Sequence, residues 1–117
     1  MRHLILISLL SILTIGCTKK FPKVDELQGT WIEQTDNEIV HTLVFDENIL
    51  TKTTSTGFID VYEYELNKKE NTIILKLISS GTEGSLEITL NKRDGILGLF
   101  GFYAYTFEGY WSYFEKQ

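Results

Sequence analysis

The chain has 117 residues, with 11 Lys and Arg against 16 Asp and Glu, a formal net charge of −5 and an apolar fraction of 43%. That length suits one small domain with one core, and the acidic balance argues against nucleic acid, which calls for clustered Lys and Arg. A single cysteine and two histidines exclude a disulfide framework and a zinc site of clustered Cys and His. No Gly-x-Ser-x-Gly elbow or phosphate-cradling glycine loop occurs, so the chain reads as a non-enzyme, with no cofactor and no metal.

Residues 1–16 read as an export signal. Met1-Arg2-His3 is a basic start, and Leu4 to Ile15 is an uncharged apolar stretch interrupted only by Ser8, Ser11 and Thr14. It is shorter than the roughly 20 apolar residues a transmembrane helix needs. With Gly16 before Cys17, the segment resembles a bacterial lipoprotein signal. It departs from that pattern at Thr14, where an aliphatic residue is usual, with Leu13 one place earlier. The resemblance implies cleavage before Cys17 and lipidation of its thiol, which would leave a net charge of about −6. Thr18 follows the cysteine instead of Asp, which resembles sorting to the outer membrane, with the protein lipid-anchored and facing the periplasm. Residues 17–26 would then be the lipidated cysteine and a tether. Its Lys19, Lys20 and Lys23 either touch anionic headgroups or are simply solvated.

Residues 27–117 are expected to form the domain, after one helical turn at Asp25 to Gln28. Short segments rich in β-branched and aromatic residues follow at Thr30–Gln34, Ile39–Phe45, Ile49–Thr54, Ile59–Leu66, Thr72–Ile78 and Ser85–Leu90. Turn-type clusters separate them, which predicts an all-β antiparallel up-and-down meander. Tyr62, Tyr64 and Leu66 share a face, set against Asp60, Glu63 and Glu65. Ile73, Leu75 and Leu77 share another, as do Leu86, Ile88 and Leu90. One wet and one dry face per strand is the pattern of a sandwich or a closed barrel.

The tail is aromatic: 9 of the 15 residues from Phe100 to Phe114 are Phe, Tyr or Trp. It reads as two β segments joined near Glu108-Gly109, with rings filling a small barrel and others outside, where they could contact a partner.

Gly29-Thr30-Trp31 resembles the Gly-x-Trp signature of lipocalins. Together with Phe45 before a turn, Tyr62-x-Tyr64-x-Leu66 and an aromatic closing strand, it is similar to the small lipocalin-like lipoproteins of Bacteroidetes-type bacteria. That resemblance spans about residues 27–115 and implies an eight-stranded barrel with Trp31 plugging its closed end. It implies no single shared activity.

A three-residue hairpin loop, Asp36-Asn37-Glu38, would set Trp31 opposite Leu43 and Glu33 opposite His41 on the inner side. At the barrel mouth the Glu33–His41 pair could hydrogen-bond a polar head group, or be a structural ion pair. Two functions follow. In one, the barrel is a non-catalytic interaction scaffold that recruits an envelope protein through its surface. In the other, it binds a small apolar or amphiphilic ligand, lined by Trp31, Tyr62 and Tyr64 with Glu33 and His41 at the mouth. A cavity large enough for a ligand would separate the second from the first.

Overall fold

The alternating segments become strands linked by turns of Asp, Asn, Gly and Lys. The computed structural model describes residues 19–103 and 109–117. Its elements are β1 (Lys19–Lys20), α1 (Val24–Leu27), β2 (Gly29–Glu33), β3 (His41–Asp46), β4 (Ile49–Thr54), β5 (Ile59–Asn67), β6 (Thr72–Leu77), β7 (Glu83–Asn91), β8 (Ile96–Phe100) and β9 (Trp111–Lys116). Strands β2 to β9 pair antiparallel in chain order, and β9 returns to β2 through Trp31↔Lys116 and Glu33↔Phe114. The result is a closed eight-stranded barrel, so no long sheet edge is left bare. β1 lies on β7 through Lys19↔Asn91 and Lys20↔Leu90, beyond the point where β6 begins at Thr72↔Glu87.

Strand direction separates two ends. The β3–β4, β5–β6 and β7–β8 turns lie at one end, together with α1, and this end is closed. Leu27, Leu43, Ile73, Leu97 and Phe114 are fully buried, and Trp31, Phe45 and Leu50 are at most 2% exposed. The Trp31 indole N–H donates to the Leu27 carbonyl at 2.8 Å, tying the plug to the helix that crosses it. The β2–β3, β4–β5 and β6–β7 connections lie at the other end, where β8 also ends and β9 begins; this is the open end, which the described side chains do not fill.

Several expectations need correction. The β2–β3 register is as the sequence implies, with Trp31 opposite Leu43. The connection, however, runs from Gln34 to Val40 instead of three residues. Its last residue is held by the β4–β5 turn: Ser55 N–H donates to the Val40 carbonyl at 2.9 Å, and Val40 N–H to Ser55 Oγ at 3.0 Å. The seventh barrel strand is Ile96 to Phe100, mostly ahead of the aromatic run, where alternation puts Leu97 and Leu99 in the core. Asp60 sits opposite Lys52 on the side of Tyr62, as a two-residue period requires, and not with Glu63. Residues 19–26 are no free tether, since β1 pairs with the barrel and Pro22 is buried. The export signal, Cys17 and Glu108 lie outside the described residues.

Candidate functional site

The open end gathers the polar groups that face inward. β2 ends at Glu33 and β3 starts at His41, and their alternation with the buried Trp31 and Leu43 turns both side chains into the mouth. Glu33 is 5% exposed, so its carboxylate must be satisfied within the chain. Its Oε1 accepts from the His41 backbone N–H at 3.1 Å and lies 2.8 Å from His41 Nδ1. The Tyr103 hydroxyl donates to Oε2 at 2.5 Å. His41 also packs edge-on against the rings of Phe102 and Tyr103, with centroids 4.9 and 5.5 Å away. Both oxygens of Glu33 are thus engaged, and the cluster fastens the segment after β8 across the top of β2 and β3.

Beside it, β4 turns Lys52 inward. Its ammonium lies 3.6 Å from Asp60 and within 5.6 Å of the Tyr62 and Phe102 ring centroids. Tyr62 in turn borders a cavity of about 650 Å³ whose walls include Leu75, Leu77, Gly84, Leu86 and Tyr103, and which reaches the rim at Phe100. The leucines alternate with outward residues and so point inward, yet remain partly exposed. Gly84 occupies the corresponding place on β7, and a Cβ there would meet nothing within 4 Å. A missing side chain therefore leaves space at the mouth. The volume and apolar wall are those of a small-molecule pocket.

The five ligand-binding residues expected from the sequence divide between the two ends. Tyr62 lines the cavity, and Glu33 and His41 stand behind Tyr103 beside it. Trp31 and Tyr64 lie in the closed end, where Tyr64 packs edge-on to Phe45 at 5.2 Å. The Tyr64 hydroxyl donates to the Glu47 carbonyl at 2.5 Å and accepts from Gln28 Nε2 at 3.0 Å. Burial pushes its pKa above the ordinary value, with the Gln28 hydrogen bond working against it. That hydroxyl braces a turn whose Glu47 has φ 54°, a left-handed conformation costly to a residue with a Cβ.

Three mouth residues were missed in the sequence. Lys52 shares the face of Leu50, but Thr51 and Thr53 blur the alternation. Gly84 gives no signal beyond a flexible serine–glycine loop. Tyr103 is one ring among nine until the fold brings it to Glu33, 70 positions away. Compared with family models, curated proteins and solved structures, the chain matches none. A functional reading therefore has to be argued from the barrel itself.

Proposed function

We propose that the mature protein is a non-catalytic binding barrel, anchored to the outer membrane through a lipid on Cys17 and facing the periplasm. It takes a small amphiphile in its open end. The observation that carries this reading is the cavity of about 650 Å³ with partly exposed leucines on its wall. The apolar portion of the ligand would lie against Leu75, Leu77 and Leu86. A polar or anionic head would lie towards Lys52, whose loose pairing with Asp60 leaves it able to exchange partners. Glu33 and His41 shape the mouth through Tyr103 instead of contacting the ligand, because the carboxylate is engaged within the chain. The Gly29-Thr30-Trp31 start and the barrel agree with a lipocalin-like lipoprotein.

The test is Gly84→Leu, which fills the space left by the glycine. Native mass spectrometry of the protein extracted from its membranes is expected to detect a bound mass in the wild type. The variant should lose it, and should bind a fluorescent fatty-acid analogue at least about tenfold more weakly, the effect of roughly 1.4 kcal/mol. Equal binding by the two proteins would refute the pocket.

A second reading, the interaction scaffold, is favoured by one feature of the same end. Phe58 and Ile59 in and after the β4–β5 turn are 73% and 64% exposed, and Ile78, whose N–H donates to the Val61 carbonyl, is 51% exposed. Such an apolar rim suits an envelope protein. It predicts that Phe58→Ser abolishes a co-purifying partner while fatty-acid binding is unchanged.

A further inference from the structure

Positive charge is unevenly placed on this acidic chain. Ten Lys and Arg follow Cys17, and eight of them lie at the closed end. Lys19, Lys20 and Lys23 lead into α1, Lys68 and Lys69 make the β5–β6 turn, Lys92 and Arg93 make the β7–β8 turn, and Lys116 ends β9. The other two are Lys52 inside the mouth and Lys76 on the outer wall of β6. Among the described residues seven carboxylates share the closed end, so it carries about +1, while the walls and mouth carry about −6. The molecule is a charge dipole with its positive pole at the plugged end.

The chain also leaves the barrel there. Lys19 pairs with Asn91, the last residue of β7 before the Lys92-Arg93 turn. Two peptide units separate Lys19 from Cys17, a reach of at most about 7 Å. Because β1 is held in the sheet and Pro22 is buried, nothing between Cys17 and the barrel is long enough to swing it around.

We infer that the closed end is a membrane-contact face for anionic headgroups, and that the mouth opens away from the bilayer. This orientation rests on the lipid anchor at Cys17 proposed above. Lys68, Lys69, Lys92 and Arg93 are exposed on the two turns beside the exit of the chain, within reach of a surface to which Cys17 is fixed. Lys92 is shared with Glu26 at 2.6 Å, and the Lys116 ammonium with the Glu26 carbonyl at 3.5 Å and the Trp31 ring, so the leading contacts fall to the other turn residues. The nine-residue β7 alone spans about 30 Å, several Debye lengths at physiological salt. The acidic mouth is thus screened from the surface that the basic turns feel. The pocket then samples the aqueous periplasm, not the bilayer to which the protein is attached.

Native lysines report the orientation. The full chain, expressed in a bacterium and extracted from its membranes, is placed in phosphatidylethanolamine–phosphatidylglycerol vesicles or in neutral detergent. It is then acetylated with an amine-reactive reagent, and each site is quantified by peptide mass spectrometry. Lys68, Lys69 and Lys92 are expected to react about threefold or more slowly on vesicles, as contact with the surface requires, with Lys76 changed little. The double variant Lys69→Glu/Arg93→Glu should lose that protection while remaining vesicle-bound. Equal rates at Lys68, Lys69 and Lys92 in the two media, or protection of Lys76 instead, would overturn the orientation. The mass of the peptide carrying Cys17 reports the anchor separately. If it arrives without acyl chains, the anchor reading fails, and coupling a maleimide lipid to Cys17 lets the same footprint judge the orientation.

Discussion

The two ends of this barrel are built from the same alternating strands and do opposite things. At the closed end α1 crosses the strands, Trp31 and Phe45 are at most 2% exposed, and Gln28, Glu47 and Tyr64 satisfy one another. At the open end the inward leucines of β6 and β7 keep contact with water, and Gly84 leaves space. Packing makes the first end the source of stability, and incomplete packing leaves the second with the space that the proposed ligand would fill. A small barrel can divide these tasks along its axis because each inward layer depends chiefly on its neighbours.

The largest test of that division sets Trp31→Ala against Leu77→Ala. Removing a fully enclosed indole is expected to cost about 3–5 kcal/mol. Truncating Leu77 should cost less than about 1.5 kcal/mol, since the side chain already borders open space. Urea unfolding midpoints measure both, and comparable losses would erase the distinction between the ends.

Tyr64→Phe sharpens the comparison within the closed end. It removes the hydroxyl held between Gln28 and Glu47, at an expected cost of about 1 kcal/mol. Because burial raises the Tyr64 pKa, the folded state holds its proton where the unfolded chain has begun to lose it. Its contribution is whole below about pH 10 and falls as pH rises through the raised value. Stability of the wild type should therefore decline more steeply above that pH than stability of the variant. Parallel slopes in urea titrations would remove Tyr64 as the cause.

The smallest expected effect is at the surface of the same end. The Lys92 hydrogen bond, opposed by desolvation, lowers the Glu26 pKa. Its contribution is present at neutral pH and lost as pH falls through the lowered value. Both groups are solvated, so Lys92→Ala should cost less than about 1 kcal/mol, and nothing measurable in high salt. A larger loss would mean that the closed end owes more to ion pairs than to packing.

Much of the barrel was legible because a strand's faces follow directly from its period. The runs from Thr30 to Leu90 gave most strands within a few residues, and the register that sets Trp31 opposite Leu43 also brought Glu33 to His41. Ile96 to Leu99 escaped because Gly98 breaks the alternation and the neighbouring rings drew the strand into the tail. Gly98 is instead a seat for a neighbour: a Cβ there would come within 3.2 Å of the Trp111 ring.

Sequence by itself determined the strands, their faces and the polar pair at one end, since these depend on residues close along the chain or paired across a single turn. It also carried the signal-like pattern on which the proposed attachment at Cys17 rests. Only the tertiary structure decided which end is plugged, where space remains, and that β1 ties the chain to the basic end. Those properties arise when the barrel closes and residues as distant as Glu33 and Tyr103 meet. No local preference encodes that closure; it follows from burying all eight inner faces at once.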